Sequence, residues 1–324
     1  MRKITFSEAT REAMIEEMTR DKSVFVMGED IARQGGIFGQ FKGLPELFGT
    51  ERVIDTPITE TAIIGAAIGA SLAGARPVAD MHFADFMGVA MDEVFNQMAK
   101  IRYMFGGQTT VPMVIRAPDG LVRSAAAQHS QCVEAWFNNI PGIIVVSPSN
   151  PADAKGLLKA AIRSDDPIIY FEHKALFSQS GPVPEEEDFL VPIGKANVVR
   201  EGKDVTIVSY SITMGLALKA ADILEEEGYS VEVIDLRTLA PFDKTTVLES
   251  VKKTGRLLIA HEAVKVGGLG AEIAAVVAEE ALDYLDAPII RVGAKFTPVP
   301  FSPTLETAYR PKVSDIVDGV KRMF

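Results

Sequence analysis

Asp55-Thr56-Pro57-Ile58-Thr59-Glu60-Thr61-Ala62 opens DTPITETAIIGAAIGASLAG (residues 55–74), the stretch on which the reading of the chain turns. Pro57 biases Thr56 away from the α region, and a run built almost wholly of small and apolar residues follows. The run predicts a buried helix. Gly65, Ala66, Ala67, Gly69, Ala70 and Ser71 leave little side-chain bulk, so another backbone, helix or subunit can approach closely. Glu60 is the single carboxylate at the mouth of this element. On its own it reads as ordinary helix chemistry: Thr59 as N-cap, then an acid in the first turn that suits the helix dipole.

The rest of the chain supplies the context. Its 324 residues exceed the usual size of one core and predict two domains. With 47% hydrophobic and 7% aromatic residues, the composition is that of an Ala/Val/Ile/Gly-rich α/β protein. A net charge of −11 with no basic face argues against nucleic acid as a partner. Cys132 has no second cysteine to pair with, which predicts a reducing compartment and no thiolate zinc cluster. The segment MRKITFSEATREAMIEEMTR carries acids from Glu8 onward and a helical period, unlike a signal or transit peptide. No uncharged apolar run is long enough to span a bilayer. The expectation is a cytoplasmic protein without membrane contact.

Short apolar runs alternate with helical patterns. Helix Ser7–Arg20, strand Ser23–Met27, a short helix over 43–50, strand Arg52–Ile54 and the helix after Glu60 come first. Strand Pro77–Met81 and a helix over Asp85–Tyr103, ending at Gly106-Gly107, follow. Pro112–Ile115, Gly142–Val146 and Pro167–Phe171 read as buried strands, the last two flanking a helix over Pro151–Arg163. This βαβ rhythm predicts a mainly parallel sheet. Ser178–Pro192, rich in proline and acids, reads as a linker. A second α/β unit follows, with strands over 205–210, 230–236, 256–261 and 288–292, helices over 213–227, 243–254 and 271–285, and a last helix from Lys312. The predicted boundaries are 1–177, 178–192 and 193–324.

Several chemistries are unsupported. No Gly-x-x-x-x-Gly-Lys-Ser/Thr or Gly-x-Gly-x-x-Gly opens a helix, and Val266-Gly267-Gly268-Leu269-Gly270 reads as a turn before one. No His/Cys set has zinc spacing, and no Gly-x-Ser-x-Gly elbow is present. Of the four histidines, His129 in the polar loop Gln128-His129-Ser130-Gln131 is the catalytic candidate, because loops at strand ends are where sheets present chemistry. A structural hydrogen-bonding role stands beside that reading. His82, His173 and His261 sit at strand ends.

Five motifs in order carry a family resemblance: Gly28-Glu29-Asp30, Asp55–Glu60, His82-Phe83-Ala84-Asp85-Phe86, Ala127–Gln131 and Asp153–Leu158. Together with Val233–Thr238 they make the chain resemble, end to end, the beta subunits of thiamine-diphosphate-dependent dehydrogenase components of 2-oxo acid dehydrogenase complexes. That resemblance implies two α/β/α domains, a thiamine pyrimidine-binding domain followed by a transketolase C-terminal-like domain. It implies that Glu60 hydrogen-bonds the pyrimidine ring nitrogen, as the cofactor's imino tautomer requires. It places Glu29, Ile58 and His82 in the cofactor pocket, gives Phe86 an aromatic face for the pyrimidine, and sets His129 near the reacting carbon.

Gly-Asp-Gly, the start of the family's diphosphate-and-magnesium motif, does not occur, and Asn138-Asn139 stands without it; no metal role is assigned to this chain. The resemblance therefore implies half a site: thiamine diphosphate shared with an alpha subunit that holds Mg2+, in a heterotetramer of two alpha and two beta chains. A lipoyl-bearing dihydrolipoamide acyltransferase core would be the next partner. Related subunits bind a structural potassium ion near Ala-Ile-Arg-Asp-Asn-Asn-Pro; here Ala161-Ile162-Arg163-Ser164-Asp165-Asp166-Pro167 puts Ser164 at the Asp position, which sets K+ in question. His82, Phe86–Ala90 and Tyr103–Gly107 look most like acetoin dehydrogenases. The resulting expectation is cleavage of acetoin, release of acetaldehyde and passage of a two-carbon unit to a lipoyl group, with pyruvate or a branched 2-oxo acid as the alternative substrate. A non-catalytic scaffold and a stand-alone transketolase-like synthase are the readings from other classes.

Overall fold

The computed structural model describes residues 1–186 and 188–324; of the linker glutamates, Glu187 lies outside the described residues. Two compact units are present: Met1–Asp119 with Trp136–Ile193, and Gly120–Ala135 with Gly194–Phe324.

The first unit contains β1 (Arg2–Thr5), α1 (Phe6–Arg20), β2 (Val24–Gly28), α2 (Leu44–Phe48), β3 (Val53–Asp55), α3 (Glu60–Leu72), β4 (Arg76–Asp80), α4 (Ile101–Met104) and β5 (Val114–Asp119). After α5 (Glu134–Asn138) come β6 (Ile144–Val146), α6 (Pro151–Arg163), β7 (Ile168–His173) and β8 (Ser180–Val183). The strands β6-β7-β5-β4-β2-β3 pair in that order and all run parallel. Valines and isoleucines line them because both faces are covered. Met14 and Met18 of α1 join Leu157 and Leu158 of α6 in one buried cluster. Helix α1 starts where the Thr5 hydroxyl accepts from the Glu8 N–H (3.1 Å) and Glu8 accepts from the Thr5 N–H (2.8 Å), a capping box.

Four local expectations are revised. The helix predicted over Asp85–Tyr103 is a 3₁₀ turn (Ala84–Gly88), a π-helical turn (Glu93–Met98) and α4. Part of the cause is the Thr61 hydroxyl, which donates to the Val89 carbonyl (3.2 Å) and engages an acceptor that a continuous ladder would use. Helix α3 is buried on one face only: Ile63, Ile64, Ala67, Ile68 and Ser71 point inward, whereas Thr61, Ala62, Ala66, Gly69 and Leu72 are exposed. Thr59 makes no side-chain cap; its hydroxyl donates to the Pro57 carbonyl (3.2 Å) instead. Within Ser178–Pro192, β8 pairs antiparallel with β1. Farther along it, Phe189 and Val191 press on Gly156 of α6, where an added Cβ would meet the Val191 Cγ2 at 2.5 Å. That stretch is packed chain rather than a free tether.

The second unit contains β9 (Asn197–Arg200), β10 (Val205–Ser209), α7 (Thr213–Glu226), β11 (Val231–Asp235), β12 (Thr238–Ala240), α8 (Lys244–Thr254) and β13 (Leu257–Val264). It ends with α9 (Leu269–Glu280), β14 (Ile290–Ala294), α10 (Pro303–Tyr309) and α11 (Val313–Lys321). Its five-stranded sheet has the order β14-β13-β10-β11-β9, with only β9 antiparallel. The Val266–Gly270 run is a turn with Gly267 at φ +66, leading into α9.

Candidate active site

In the first unit β3 lies on one side of β2 and β4 on the other, so the direction of sheet growth reverses at β2. Ligands of open α/β sheets bind beyond the carboxyl ends of the strands at such a reversal. The predicted residues of this unit stand there. Glu29 directly follows β2, Ile58 lies between β3 and α3, Glu60 opens α3, and His82 and Phe86 follow β4.

Backbone geometry sets the crevice. An added Cβ on Gly28 would come within 2.8 Å of the Asp80 Cβ, so glycine permits the close approach of β2 and β4. Asp30 and His82 both take a left-handed conformation, at φ 53. The Thr56 N–H donates to the Gly28 carbonyl (2.9 Å), and the Asp55 carboxylate accepts from the N–H groups of Ala32 (2.6 Å) and Arg33 (3.2 Å). The loop carrying Glu29 is thereby tied to the strand that leads to Glu60.

Glu29 is only 8% exposed, and Glu60 is half-buried at the first position of α3. Neither carboxyl group has a hydrogen-bond or ion-pair partner among the described residues. Burial pushes the Glu29 carboxyl up, and the negative charges of Glu60 and Asp30 push the same way. Two neighbouring carboxyls without partners suit a ligand that offers ring nitrogens and amine hydrogens. Phe86 meets Phe83 edge to face (centroids 5.6 Å apart), and the His82 ring lies 5.5 Å from Phe83, with the Lys174 ammonium 5.1 Å above that same ring. Ile58 is 77% exposed and offers an apolar side chain to whatever occupies the crevice.

Sequence reading missed the support beneath these residues. Asp80 ends β4, Arg116 lies within β5 and Glu172 is the last but one residue of β7, and all three are buried. Arg116 grips Glu172 with two hydrogen bonds (2.8 and 2.7 Å), reaches Thr10 (3.3 Å), and lies over the Phe41 ring (4.7 Å). Asp80 accepts from the His82 N–H (3.2 Å) and so holds that residue's unusual backbone. The signal was present, as charged residues inside otherwise apolar strands are rare unless paired.

Burial drives the Asp80 carboxyl up to about 7, against the lowering pull of Arg116. Its contribution to stability is therefore fully present below about pH 4 and is lost as pH rises through about 7. Relative to Asp80→Asn, the wild-type denaturation midpoint is expected to fall over that range. Urea titrations of both proteins at successive pH values check this, and a difference that does not change with pH would refute it.

His129 belongs to the second unit, half-buried in a loop held by its neighbours. The Leu121 N–H donates to Glu262 (2.8 Å), the Ser124 N–H to Glu306 (2.7 Å), and the Gly120 N–H to the Gln131 carbonyl (3.1 Å). His261, in the same unit, is a packed core residue: burial lowers it to about 4, its Nδ1 meets the Ala263 carbonyl (2.9 Å), and Gly268, Gly270 and Gly293 crowd its ring. At the turn considered for potassium, Arg76 donates to the carbonyls of Ile162 (3.1 Å) and Ser164 (2.8 Å) and pairs with Asp165, while Arg102 pairs with Asp166. These acceptors are engaged by arginines, and no ion is assigned there.

Comparison with known proteins decides the family. Residues 2–179 match the transketolase pyrimidine binding domain, and residues 194–316 match the transketolase C-terminal domain. The pyruvate dehydrogenase E1 component subunit beta of Rhizobium meliloti is 48% identical over 321 residues, covering 99% of this chain and 70% of the relative. The chain belongs to the E1 beta-subunit family of 2-oxo acid dehydrogenases. Within that family, the beta subunit of the acetoin:2,6-dichlorophenolindophenol oxidoreductase of Cupriavidus necator is also 48% identical, covering 99% of this chain and 97% of that one. The 2-oxoisovalerate dehydrogenase subunit beta of Bacillus subtilis is 47% identical, over 94% of this beta subunit and 93% of its own length. A solved split-gene transketolase, described as an inactive beta4 tetramer, superimposes with a TM-score of 0.81 at 27% identity, over 99% of this chain and 98% of that one. Both expected halves of the fold are therefore present. Among the described residues, no helix is long and apolar enough to cross a membrane.

Proposed function

We propose that this beta subunit supplies the pyrimidine side of a thiamine-diphosphate-dependent active site completed by an alpha subunit, and that the complex cleaves acetoin. The observation that carries the reading is the pair of unpartnered carboxyls, Glu29 and Glu60, at the reversal point of the first sheet. When bound, thiamine diphosphate supplies the nucleophilic carbon and electron sink that carbon–carbon cleavage beside a carbonyl needs.

The residues of this chain have separable tasks. Glu60 exchanges a proton with the pyrimidine ring nitrogen, a bond strengthened by the half-apolar crevice. Glu29, with its carboxyl pushed up, favours the neutral form beside it. Phe86 and Ile58 give the ring apolar contacts and exclude water. The His82 imidazole offers a hydrogen bond suited to a substrate hydroxyl, and this is the feature that favours acetoin over a 2-oxo acid. His129 is assigned to proton handling near the reacting carbon or to transfer toward a lipoyl group. Mg2+ and the diphosphate fall to the alpha subunit in a heterotetramer of two alpha and two beta chains, and a lipoyl-bearing acyltransferase core accepts the two-carbon unit.

Reduction of an artificial electron acceptor by the co-expressed complex, with thiamine diphosphate and Mg2+, tests the assignment. Acetoin is expected to give the highest kcat/KM among acetoin, pyruvate and branched 2-oxo acids. Preference for pyruvate or a branched acid would move the substrate assignment and leave the roles of Glu29 and Glu60 standing. Thiamine-dependent turnover by this chain alone would overturn the shared site.

A further inference from the structure

A cavity of about 530 Å³ lies wholly within the second unit, between the end of β14, the Lys265 turn, the α10–α11 connection and the exposed side of α11. Six cations line it: Lys265, Arg291, Lys295, Arg310, Lys312 and Arg322. Two carboxylates share the lining, Asp315 and Asp318, and Asp315 is already engaged in accepting from the Lys312 N–H (2.8 Å). Among the described residues none of the six cations forms an ion pair. Elsewhere in the unit, Lys321 bonds Glu227, Lys244 bonds Glu280, and Arg200 bonds both Asp222 and Glu225.

Gathering like charges in one concavity raises the unit's self-repulsion, and a protein of net charge −11 has carboxylates enough to neutralise them. The field reaches inward, since the charges of Arg291 and Lys265 help to depress His261 behind the cavity wall. Low-dielectric walls concentrate such a field and draw in anions. Arginine forks suit phosphate oxygens by two-pronged hydrogen bonding, and lysines add point charges. The volume is within the range that holds a small molecule.

We propose that this cavity is a binding site for a small molecule carrying several phosphate groups, separate from the thiamine site. Every lining residue belongs to the second unit, so the inference does not depend on the roles given to Glu29 and Glu60.

Calorimetric titration of the co-expressed complex tests it, with sodium tripolyphosphate as the probe and without magnesium, which the probe would chelate. Saturable binding at one equivalent per beta chain is expected. The double variant Lys295→Gln/Arg310→Gln alters two exposed side chains that make no hydrogen bonds, and it is expected to weaken binding at least about tenfold, or roughly 1.4 kcal/mol. A control with the same loss of charge elsewhere in the unit, Lys195→Gln/Lys219→Gln, is expected to shift it less than about twofold. Equal weakening by both doubles, or no saturable binding, would overturn the site. An acidic heptapeptide that binds more tightly than tripolyphosphate would overturn the ligand class. Thiamine-dependent turnover in the variants reads the other site separately.

Discussion

Glu60→Gln is expected to lower thiamine-dependent acceptor reduction by the reconstituted complex by about 10²–10⁴-fold, the usual worth of a positioned proton-transfer group. Glutamine keeps the shape and the first position of α3, but it cannot exchange a proton with a ring nitrogen. The stability change should be small, because the Glu60 side chain has no partner among the described residues to lose and sits half-exposed. Activity and unfolding midpoint measured on the same preparation separate the two effects. Turnover close to wild type would remove Glu60 from the chemistry and favour the scaffold reading. A large fall in the unfolding midpoint would mean that the residue holds the fold instead.

The largest effect on stability is expected at Arg116. Arg116→Met keeps most of the side-chain volume and removes the charge, which leaves the Glu172 carboxylate buried without its counter-charge. Breaking a fully buried ion pair from one side costs about 3–5 kcal/mol, equivalent here to roughly 10 °C in Tm. Arg116→Lys should recover only part of this, since an ammonium cannot make the two parallel bonds to the Glu172 carboxylate. Arg116→Met/Glu172→Leu should recover more than either single change, because it removes both charges together. Denaturant titration of the four proteins checks the series. A double variant no more stable than Arg116→Met would show that the loss comes from packing against Phe41 and not from an exposed buried charge.

Much of the architecture was legible because its signals are local. Most parallel strands are short, largely apolar runs, several of them bounded by glycine or proline, and the helices between them have sustained periods, as in Pro151–Arg163 and Thr213–Glu226. Where the reading failed, a distant residue had decided the outcome. The Asp85–Tyr103 period looks helical, but Thr61 takes the Val89 carbonyl across the fold. The linker composition is polar, yet its path is set by pairing with β1 and by packing on Gly156, neither of which is written in the segment itself. The candidate site was proposed on different grounds. Chemistry alone leaves Glu60 an ordinary first-turn acid; the motifs around it made it a candidate together with Glu29, and both carboxyls stand where the first sheet reverses. The buried support formed by Asp80, Arg116 and Glu172 escaped notice because each residue sits alone in its own strand and the three meet only when the sheet forms.

The Asp55 carboxylate has a practical consequence for redesign. By fastening Ala32 and Arg33, it makes the turn after β2 a poor place to introduce diversity, since loosening either bond would move Glu29 along with any new side chain. A library aimed at the proposed pocket would do better to vary the aromatic wall at Phe83 and Phe86 and leave Asp55 and its loop constant. Such a library samples the shape of the wall assigned to the cofactor ring while the loop that carries Glu29 stays fixed, so inactive clones would report on that fit and not on a displaced acid.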